Sequence, residues 1–545
     1  MSKRKKAQEK ARARTPTIKD SGYSDGAAGH SSGVLKAWNP RRYSAKTDID
    51  ANLHALRNRS ADQAINTPIG AAAITTSAMH TIGAGLKAFP RVKHKILGIT
   101  PELAREWSRR TLEEFNLWAA SKECDIGRRN SFYDLQDIVY TAYLTDGDAF
   151  ALFRRKPPTL SMPYSLRLQV LEGNRISNPM SGDFVGATTP DAIIMDAPTP
   201  GHCIISGIEL DADGAVDAYW VSNKVPGDPL DLSKWPEWQR VKAFGGITNA
   251  PNMLQICHDV RPGQVRGVPY LAPVLESLKQ LSRYTTAELA ASIVRSFFAL
   301  FFTETPTGAK ITDVISPAFG SDERDPLEPV LDPSEYSLGP GTMNALPKGV
   351  DVKSVDASNA QSTFDAFTTQ IIKQIGAAIG QPYEVLMKSF TSSYSASRAA
   401  LLQAWEEYKL RRVWFARDFC QPVYETWLTE AVAMGRIAAP GFFADPLIRA
   451  AWCNADWFGP TMSILDPVKD AQGSQLRVAQ MLSTNEKEAA EMTGLDFEEN
   501  IEQLAYEKQL MEKHGLASVQ VPLAGNGQQG EGGGEDDEQV LENQE

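Results

Sequence analysis

The 545-residue sequence has few of the side chains that usually carry enzyme chemistry. Its five cysteines lie at least thirty residues apart and form no CxxC pair; they are Cys124, Cys203, Cys257, Cys420 and Cys453. This spacing excludes a zinc ribbon or a disulfide framework and predicts small buried side chains in a reducing compartment. We therefore expect neither a metal nor a cofactor.

Histidine is also scarce, and the common catalytic motifs are missing. The seven histidines stand at positions 30, 54, 80, 94, 202, 258 and 514, with no HExxH, no Walker A loop and no nucleophile elbow. Cys257 and His258 are neighbours, but adjacent side chains of a strand point to opposite faces. The sequence thus predicts no catalytic residues. A hydrolase whose acidic site assembles only in the fold stays open as an alternative.

Long hydrophobic runs are absent as well. Segment 69–85 is interrupted by hydroxyl residues and a histidine, and segment 289–302 has Arg295 in its middle. A membrane-spanning helix needs about 20 apolar residues. The first fourteen residues lack the apolar stretch of a secretory signal. We expect a soluble chain with no membrane partner.

Charge is unevenly distributed along the chain, whose formal net charge is -11. Residues 1–14 carry seven Lys or Arg and one Glu, whereas residues 531–545 carry seven Asp or Glu and no base. Low apolar content predicts a disordered basic tail over 1–45 and a disordered acidic tail over 516–545. A general nucleic-acid-binding protein would present a basic face, and the acidic body argues against that function.

Periodicity predicts an α+β chain. Helices are expected over 66–86, from Thr100 onward and over 131–145, with Thr67 as the cap of the first. Between 147 and 260, short strand-like segments alternate with turns such as Asp211–Gly214. This block predicts a mixed, mostly antiparallel region.

Three long helical patterns follow. We expect helices over 269–302 and 358–381, separated by a Pro/Gly/Asp-rich insert at 303–357, and a third over 398–434 that is kinked at Pro422. The third helix carries an apolar stripe that predicts core or inter-subunit packing: Leu401, Trp405, Tyr408, Phe415, Phe419, Val423 and Trp427. Residues 435–515 are again helical, with Asp466, Asn485 and Asp496 as candidate caps. Helices that cannot bury both faces alone favour side-by-side assembly.

The stretch between the second and third long helices, GQPYEVLMKSFTSSYSASR, is polar and mildly basic in its second half. Lys388 and Arg398 flank a run rich in hydroxyl residues: Ser389, Thr391, Ser392, Ser393, Ser395 and Ser397. A flexible polar loop is expected over 382–397.

These segments resemble the portal proteins of tailed bacteriophages, in their lambda-type branch. The resemblance covers residues from about 50 to 515 and rests on four stretches: 57–86, 259–281, 375–437 and 466–484. The combination of Tyr394-Ser-Ala-Ser-Arg398 with Trp405 and with Pro422-Val-Tyr-Glu-Thr-Trp427 is fairly specific. Ser393 departs from the family pattern, in which Asn more often precedes the Tyr-Ser pair.

The resemblance implies a non-enzymatic ring, usually of twelve copies, at one vertex of the capsid. Double-stranded DNA passes through its channel, driven by the large terminase subunit, and later leaves through it. The subunit would also nucleate procapsid assembly, contact major capsid and scaffolding proteins, and bind head-completion and tail proteins. It would assemble in the host cytoplasm and stay in the virion. Another ring-forming head–tail connector is the closest alternative, although such proteins are usually much shorter.

The resemblance also implies a division of the chain. Residues 46–268 would form the wing, 269–302 and 358–381 the stem, 303–357 the clip, 382–397 the tunnel loop, 398–434 a long wing or channel helix, and 435–515 the crown. The implied DNA-facing residues of the tunnel loop are Lys388, Ser389, Thr391, Ser392, Ser393, Tyr394, Ser395 and Arg398. Hydroxyls can contact phosphates weakly without reading sequence. Arg398 has an alternative role, capping or pairing within the third long helix, in which case its loss would reduce stability.

Overall fold

The structure is a computed structural model that describes residues 40–179, 194–226, 236–296, 300–302, 343–345, 361–390, 393–462, 467–493 and 497–514. Helices and strands fall in separate blocks along the chain, so the predicted α+β class is confirmed. Most of the expected tails and of the insert 303–357 lies outside the described residues. Among the described helices, none is long and apolar enough to cross a membrane.

The N-terminal block is helical, and local capping determines where its helices begin. Thr67 and Thr100 accept hydrogen bonds from the backbone N–H of Gly70 and Leu103, and Ser131 forms a capping box with its third helical residue. Such caps stabilise a helix by about 1 kcal/mol each. The cap at Thr67 was predicted, as were the helix starts at Thr100 and Ser131. The helices are α1 Ala45–Asp50, α2 Leu53–Asn66, α3 Pro68–Thr81, α4 His94–Leu97, α5 Pro101–Ala119 and α6 Phe132–Asp146.

The next block forms two antiparallel sheets, in the orders β3-β2-β9 and β4-β5-β6-β7-β8. Asp211 closes the predicted turn between β6 and β7, because its carboxylate accepts from the N–H groups of Asp213 and Ala215. The strands up to this point are β1 Lys87–Pro90, β2 Asp148–Arg155, β3 Leu166–Glu172, β4 Ile194–Asp196, β5 Cys203–Ile205, β6 Ile208–Leu210, β7 Val216–Ser222, β8 Trp238–Lys242 and β9 Met253–Cys257.

Strand β2 separates two hydrophobic cores. Successive strand residues point to opposite faces, so Ala149 and Ala151 pack with the helices, whereas Phe150 and Leu152 pack against the five-stranded sheet. All four are buried. The middle strand of the smaller sheet therefore joins the helical and strand-rich parts of the molecule.

A buried ion cluster lies where α6 turns into β2. Asp148 is inaccessible to solvent, and its carboxylate lies 2.5 Å from Arg57 Nη2 and 2.6 Å from Arg266 Nε. Burial alone would raise the pKa of Asp148, but the two guanidinium groups hold it below its usual range. Removing one partner of such a group leaves an uncompensated buried charge, so the cluster fixes α2 and the segment before α7 to the sheet.

The first long helix is shorter than predicted. It begins after a 3₁₀ turn at Ala272–Val274 and, as α7, spans Leu275–Ser296 rather than 269–302. Leu300–Phe302 forms strand β10, parallel to β11 at Met343–Ala345. The aromatic run that ends the predicted helix favours a strand. The second long helix, α8, spans Gln361–Ile379, and its expected cap Ser358 lies outside the described residues.

The C-terminal part is helical, as predicted. Its elements are α9 Tyr383–Met387, α10 Tyr394–Phe415, α11 Gln421–Ala433, α12 Pro446–Trp452, β12 Ala455–Phe458, α13 Pro467–Ala479, α14 Asn485–Met492 and α15 Phe497–Lys513. One wide π-helical turn, Ala416–Cys420, joins α10 to α11 just before Pro422 and takes the place of the expected proline kink. Thr484, not Asn485, caps α14; Asp466 and Asp496 lie outside the described residues.

The predicted apolar stripe of the third long helix is buried. Its last five members are almost inaccessible: Tyr408, Phe415, Phe419, Val423 and Trp427. Leu401 and Trp405 are half-buried and pack beside Tyr408. Trp427 packs against Phe115 of α5, with ring centroids 5.0 Å apart. The stripe is therefore core, and it places the start of α10 against the N-terminal helices.

Candidate DNA-facing loop

The polar stretch expected to be a loop over 382–397 is partly helical. Residues 383–387 form α9, and α10 already begins at Tyr394. The helix α9 forms because Val385 and Leu386 are buried, the former beside Ala404 of α10. Six residues, 388–393, therefore separate the two helices, and the structure describes 388–390 and 393 of them.

Buried contacts fix the chain just before this loop. Gly380, at φ 72°, ends α8 in a left-handed conformation that glycine adopts without strain. Gln381 is 1% exposed and donates from Nε2 to the carbonyl of Ala73, 2.8 Å away, and to Tyr270 Oη at 3.1 Å. Tyr270 in turn donates to the carbonyl of Ile379. The end of α8 is thus tied to α3 and to the segment that precedes α7.

Lys388 occupies a constrained backbone position with an exposed side chain. Its φ of 52° lies in the left-handed region, and its N–H closes α9 on the carbonyl of Glu384. Ser389 donates its N–H to the same carbonyl at 3.1 Å. A non-glycine residue at positive φ persists where the surroundings determine it. The fixed backbone therefore determines where the exposed ammonium group of Lys388 projects into solvent.

His80 lies beside Lys388 and had no distinguishing signal in the sequence. Its ring stacks on Tyr408, with centroids 5.1 Å apart, and meets the edge of Trp405 at 6.1 Å. Burial, and then the charge of Lys388, lower the pKa of His80. The imidazole is thus an apolar support for the loop at neutral pH.

Arg412 is a second residue that the sequence did not single out. Its guanidinium donates to the carbonyls of His80, Thr81 and Pro460 at 3.0, 3.1 and 2.8 Å. Burial lowers the pKa of Arg412 to about 10. These bonds satisfy carbonyls at the C-terminal end of α3, where a cation is favourable.

The structure describes some of the hydroxyl residues of the loop and not others. Ser393 and Ser395 are exposed, and their hydroxyl oxygens lie 3.3 Å apart; Ser389 is half-buried. Tyr394 is the first residue of α10, and Thr391 and Ser392 lie outside the described residues. Short exposed hydroxyls beside one lysine form a weakly attractive surface for phosphate.

Arg398 is placed differently from the rest of the predicted group. Its Nη2 lies 3.3 Å from Asp470 Oδ1 of α13, and both side chains are about one-third exposed, at 32% and 34%. The partner lies in α13, so this pair is not the capping or pairing within its own helix that the sequence left open. Arg398 therefore ties α10 to α13.

Other chemical groups of the described residues are engaged within the fold. Burial raises the pKa of the Cys257 thiol, the opposite of what activates a nucleophile, and the His258 ring packs against Trp414. One set among the described residues has metal-ligand spacing: His202, Glu209 and Asp217. Arg240 already reaches both carboxylates, at 2.7 Å and 2.5 Å. This set is a structural ion-pair network.

Comparisons with known proteins identify the family. Residues 31–412 match the family described as phage portal protein, lambda family. Portal protein B of Escherichia phage lambda is 25% identical over 490 residues, which cover 88% of this chain and 87% of that protein. The portal protein of Escherichia phage N15 is 26% identical over 502 residues and 88% of each chain.

Among solved structures, the chain is similar to one from the neck of a native gene transfer agent (GTA) particle computed with C12 symmetry. The TM-score is 0.37 at 11% identity, over 83% of this chain and 94% of that one. The family match extends over more than half of the 545 residues. The chain belongs to the lambda family of phage portal proteins.

Proposed function

We propose that twelve copies of this chain form a ring at one capsid vertex, and that double-stranded DNA enters and leaves the capsid through its channel. The large terminase subunit drives DNA inward, and head-completion and tail proteins bind the finished vertex. The ring also nucleates procapsid assembly with capsid and scaffolding proteins. The subunit acts without turnover of its own, assembles in the host cytoplasm and remains in the virion.

Family membership supports assigning the parts of the subunit. Residues 46–268 form the wing, and α7 and α8 form the stem. The insert 303–357 is the clip, where terminase and head-completion proteins bind. Residues 388–393 and the start of α10 form the tunnel loop. The helices after 435 form the crown.

The distribution of apolar residues on the two stem helices carries the proposal. Leu278 and Leu281 of α7 are buried near the wing, and so are Ile375 and Ile379 of α8. Farther from the wing, large apolar side chains are exposed: Leu289 by 62%, Ile293 by 48% and Phe367 by 49%. An exposed apolar surface on a helix pair is typical of an interface with another chain. In a ring, neighbouring stems cover it.

The loop suits a channel that must hold DNA without binding it tightly. Each neutralised phosphate adds salt-dependent affinity, and many such contacts would retain the DNA. One exposed lysine and a few hydroxyls per subunit attract the backbone weakly. We propose Lys388, Ser389, Ser393 and Ser395 as DNA-facing residues, together with Thr391, Ser392 and Tyr394 carried over from the family pattern.

Negative-stain electron microscopy of the purified protein tests the ring. We expect rings with a central hole for the wild-type chain. Leu289→Glu places a charge on the exposed apolar surface and should yield folded subunits without rings. Ala287→Glu, at an exposed position on the opposite side of the same helix, is the matched control and should leave rings intact. Monomers at high wild-type concentration would contradict the proposal.

Packaging of DNA into procapsids tests the loop. Lys388→Ala removes the exposed charge and keeps a non-glycine residue at this positive φ, so rings should form normally. We expect the packaged yield to fall, and to fall more at low than at high salt, since the lost attraction is electrostatic. Lys95→Ala, another exposed lysine, serves as the control. Equal yields for all three proteins would show that Lys388 does not contact DNA during packaging.

A further inference from the structure

A rigid basic surface lies at the end of α5, outside the regions assigned above to the channel. The loop 125–130 is held by the Asp125 carboxylate, which accepts from the N–H groups of Gly127, Arg129 and Asn130 at 3.0, 3.1 and 3.4 Å. Ile126 also donates its N–H to the carbonyl of Leu168. The loop is therefore fixed to strand β3, and its side chains project from a defined backbone.

Four cations share this surface. Lys122, Arg128 and Arg129 are exposed, and the half-buried Lys156 donates from Nζ to the carbonyl of Ile126 at 3.4 Å. Among the described residues, no carboxylate lies within ion-pair distance of the three exposed cations. We name these four residues the α5-end basic surface.

The nearby acids are already engaged. Glu123 lies 3.2 Å from the buried guanidinium of Arg167 and accepts from the hydroxyl of Ser161 at 2.9 Å. Asp134 accepts from the N–H and the hydroxyl of Ser131 at 2.9 and 2.7 Å. Both acids also attract cations of the surface, Glu123 acting on Arg128 and Asp134 on Lys122. The four cations outnumber these two carboxylates, so the surface keeps a net positive charge.

Two ion pairs define the direction of α15 beside α5. Arg105 lies 3.9 Å from Glu498, and Arg109 lies 3.7 Å from Glu502. A step of four residues on one helix matches a step of four on the other, so the helices run parallel. Extended along two straight helices, the same register would bring Lys513 level with Ala120, two residues before Lys122. We infer from this register that the described chain ends on the side of the α5-end basic surface.

The chain beyond that point is strongly acidic. Residues 531–545 hold seven Asp or Glu and no Lys or Arg. Sixteen residues lie between His514 and Glu531, and the seventeen steps from one to the other span at most about 56 Å. We propose that the acidic segment 531–545 docks on the α5-end basic surface of its own subunit.

The short connection supports this contact. A segment tethered near its target meets it at a high effective concentration, so even weak ion pairs are populated. Salt weakens such pairs, because they lie at the surface. The contact does not depend on the proposed function. In a DNA-conducting ring it would also keep phosphates from binding to the outer wall of the subunit.

Photo-crosslinking in the full-length chain tests the proposal. A photoreactive amino acid replaces Val540, and crosslinked peptides are identified by mass spectrometry. We expect crosslinks to the peptides that contain 122–130 and 156, and their loss in 1 M salt. Arg128→Glu with Arg129→Glu should reduce them several-fold, whereas the control Lys93→Glu with Lys95→Glu, at exposed positions elsewhere, should not. Thermal melts verify that both variants fold.

Mixed assemblies separate the two possible sources of the segment. Isotopically heavy and light subunits are combined before crosslinking, and heavy–light peptide pairs report contact with a neighbour. Light–light and heavy–heavy pairs alone support docking within one subunit. Predominantly mixed pairs overturn that assignment. Crosslinks that persist in the Arg128→Glu, Arg129→Glu variant, or that fall elsewhere in the wild type, overturn the α5-end basic surface as the docking site.

Discussion

Individual buried carboxylates in this chain have different electrostatic environments, although they are close in sequence. Two arginines contact the carboxylate of Asp148 and keep its pKa low, although burial alone would raise it. Asp146 is also buried, but Arg57 donates to its backbone carbonyl rather than to its carboxylate. Burial therefore raises the pKa of Asp146 to about 6. Asp148 is charged in the folded state at any ordinary pH, whereas Asp146 keeps its proton to a higher pH than a free carboxyl does.

The pH dependence of stability in an Asp146 variant tests the raised pKa of this carboxyl. A carboxyl whose pKa is raised on folding stabilises the native state below its unfolded pKa of 3.8, and that contribution is lost as the pH rises through about 6. Asp146→Asn should therefore raise the free energy of unfolding at pH 8, by up to about 3 kcal/mol, and change it little at pH 4. Thermal melts at the two values measure the difference.

The control for this experiment is Glu106→Gln, which removes a charge at an exposed position. It should shift the melting temperature slightly and equally at both pH values. An Asp146→Asn effect of the same size at pH 4 and pH 8 would contradict a raised pKa and indicate a packing or hydrogen-bonding effect instead.

The pair Arg398–Asp470 allows a direct choice between stabilising and DNA-contacting roles. A partly exposed ion pair contributes about 0.2–1 kcal/mol. We expect Arg398→Ala and Asp470→Ala to lower the free energy of unfolding by similar small amounts, and the double variant to lose less than their sum. Chemical denaturation measures all four proteins. Fully additive losses would mean that the two side chains do not interact.

At the scale of elements, the sequence predicted best what depends on neighbouring residues. The caps at Thr67, Thr100 and Ser131 act within one helical turn, and the turn at Asp211 acts within five residues. The apolar stripe of α10 and α11 was also readable, because it repeats with the helical period. At these positions the interacting residues are close in sequence, so the sequence alone predicts the structure.

Elements that depend on distant partners were missed. Strand β1 exists because Lys87–Pro90 pairs with Ala455–Phe458, more than 350 residues away. In the candidate site, α9 forms because Val385 and Leu386 pack on the fold, although residues 382–397 were expected to be a loop. His80 and Arg412 reach the loop from other helices, and no spacing in the sequence relates them to Lys388. Tertiary packing decides each of these cases.

The link between the stem and α3 is an element-scale device that can be tested. Gln381→Met keeps the size of the side chain but removes its hydrogen bonds to Ala73 and Tyr270. One such hydrogen bond contributes about 0.5–1.5 kcal/mol to stability. We expect a lower melting temperature and faster proteolysis within 388–393. Unchanged proteolysis would show that Gln381 does not position the loop.

At the scale of the whole molecule, the last helices are held to the body mainly by charge. No described residue after Trp457 belongs to the hydrophobic core clusters. Arg91 contacts Glu486 at 2.8 Å, and the pairs of Arg105 and Arg109 with α15 are longer and exposed. The ion cluster around Asp148, in contrast, is buried.

This contrast predicts a selective response to salt. Raising NaCl from 0.1 to 1 M shortens the screening length from about 10 to about 3 Å, which weakens exposed pairs far more than buried ones. We expect faster hydrogen exchange in α14 and α15 at 1 M and little change in β2 and α6. Equal protection of the last helices at both concentrations would point to apolar attachment instead.

Strands β10 and β11 lie side by side, although forty residues separate Phe302 from Met343. The chain therefore leaves the stem and returns to it at a single place. A segment joined in this way can lengthen, shorten or be exchanged for another without moving the helices on either side. Under the clip assignment proposed above, natural variation in related phages can then change what this segment recognises while the rest of the subunit stays the same. Grafting a foreign segment between 302 and 343 would then change docking specificity.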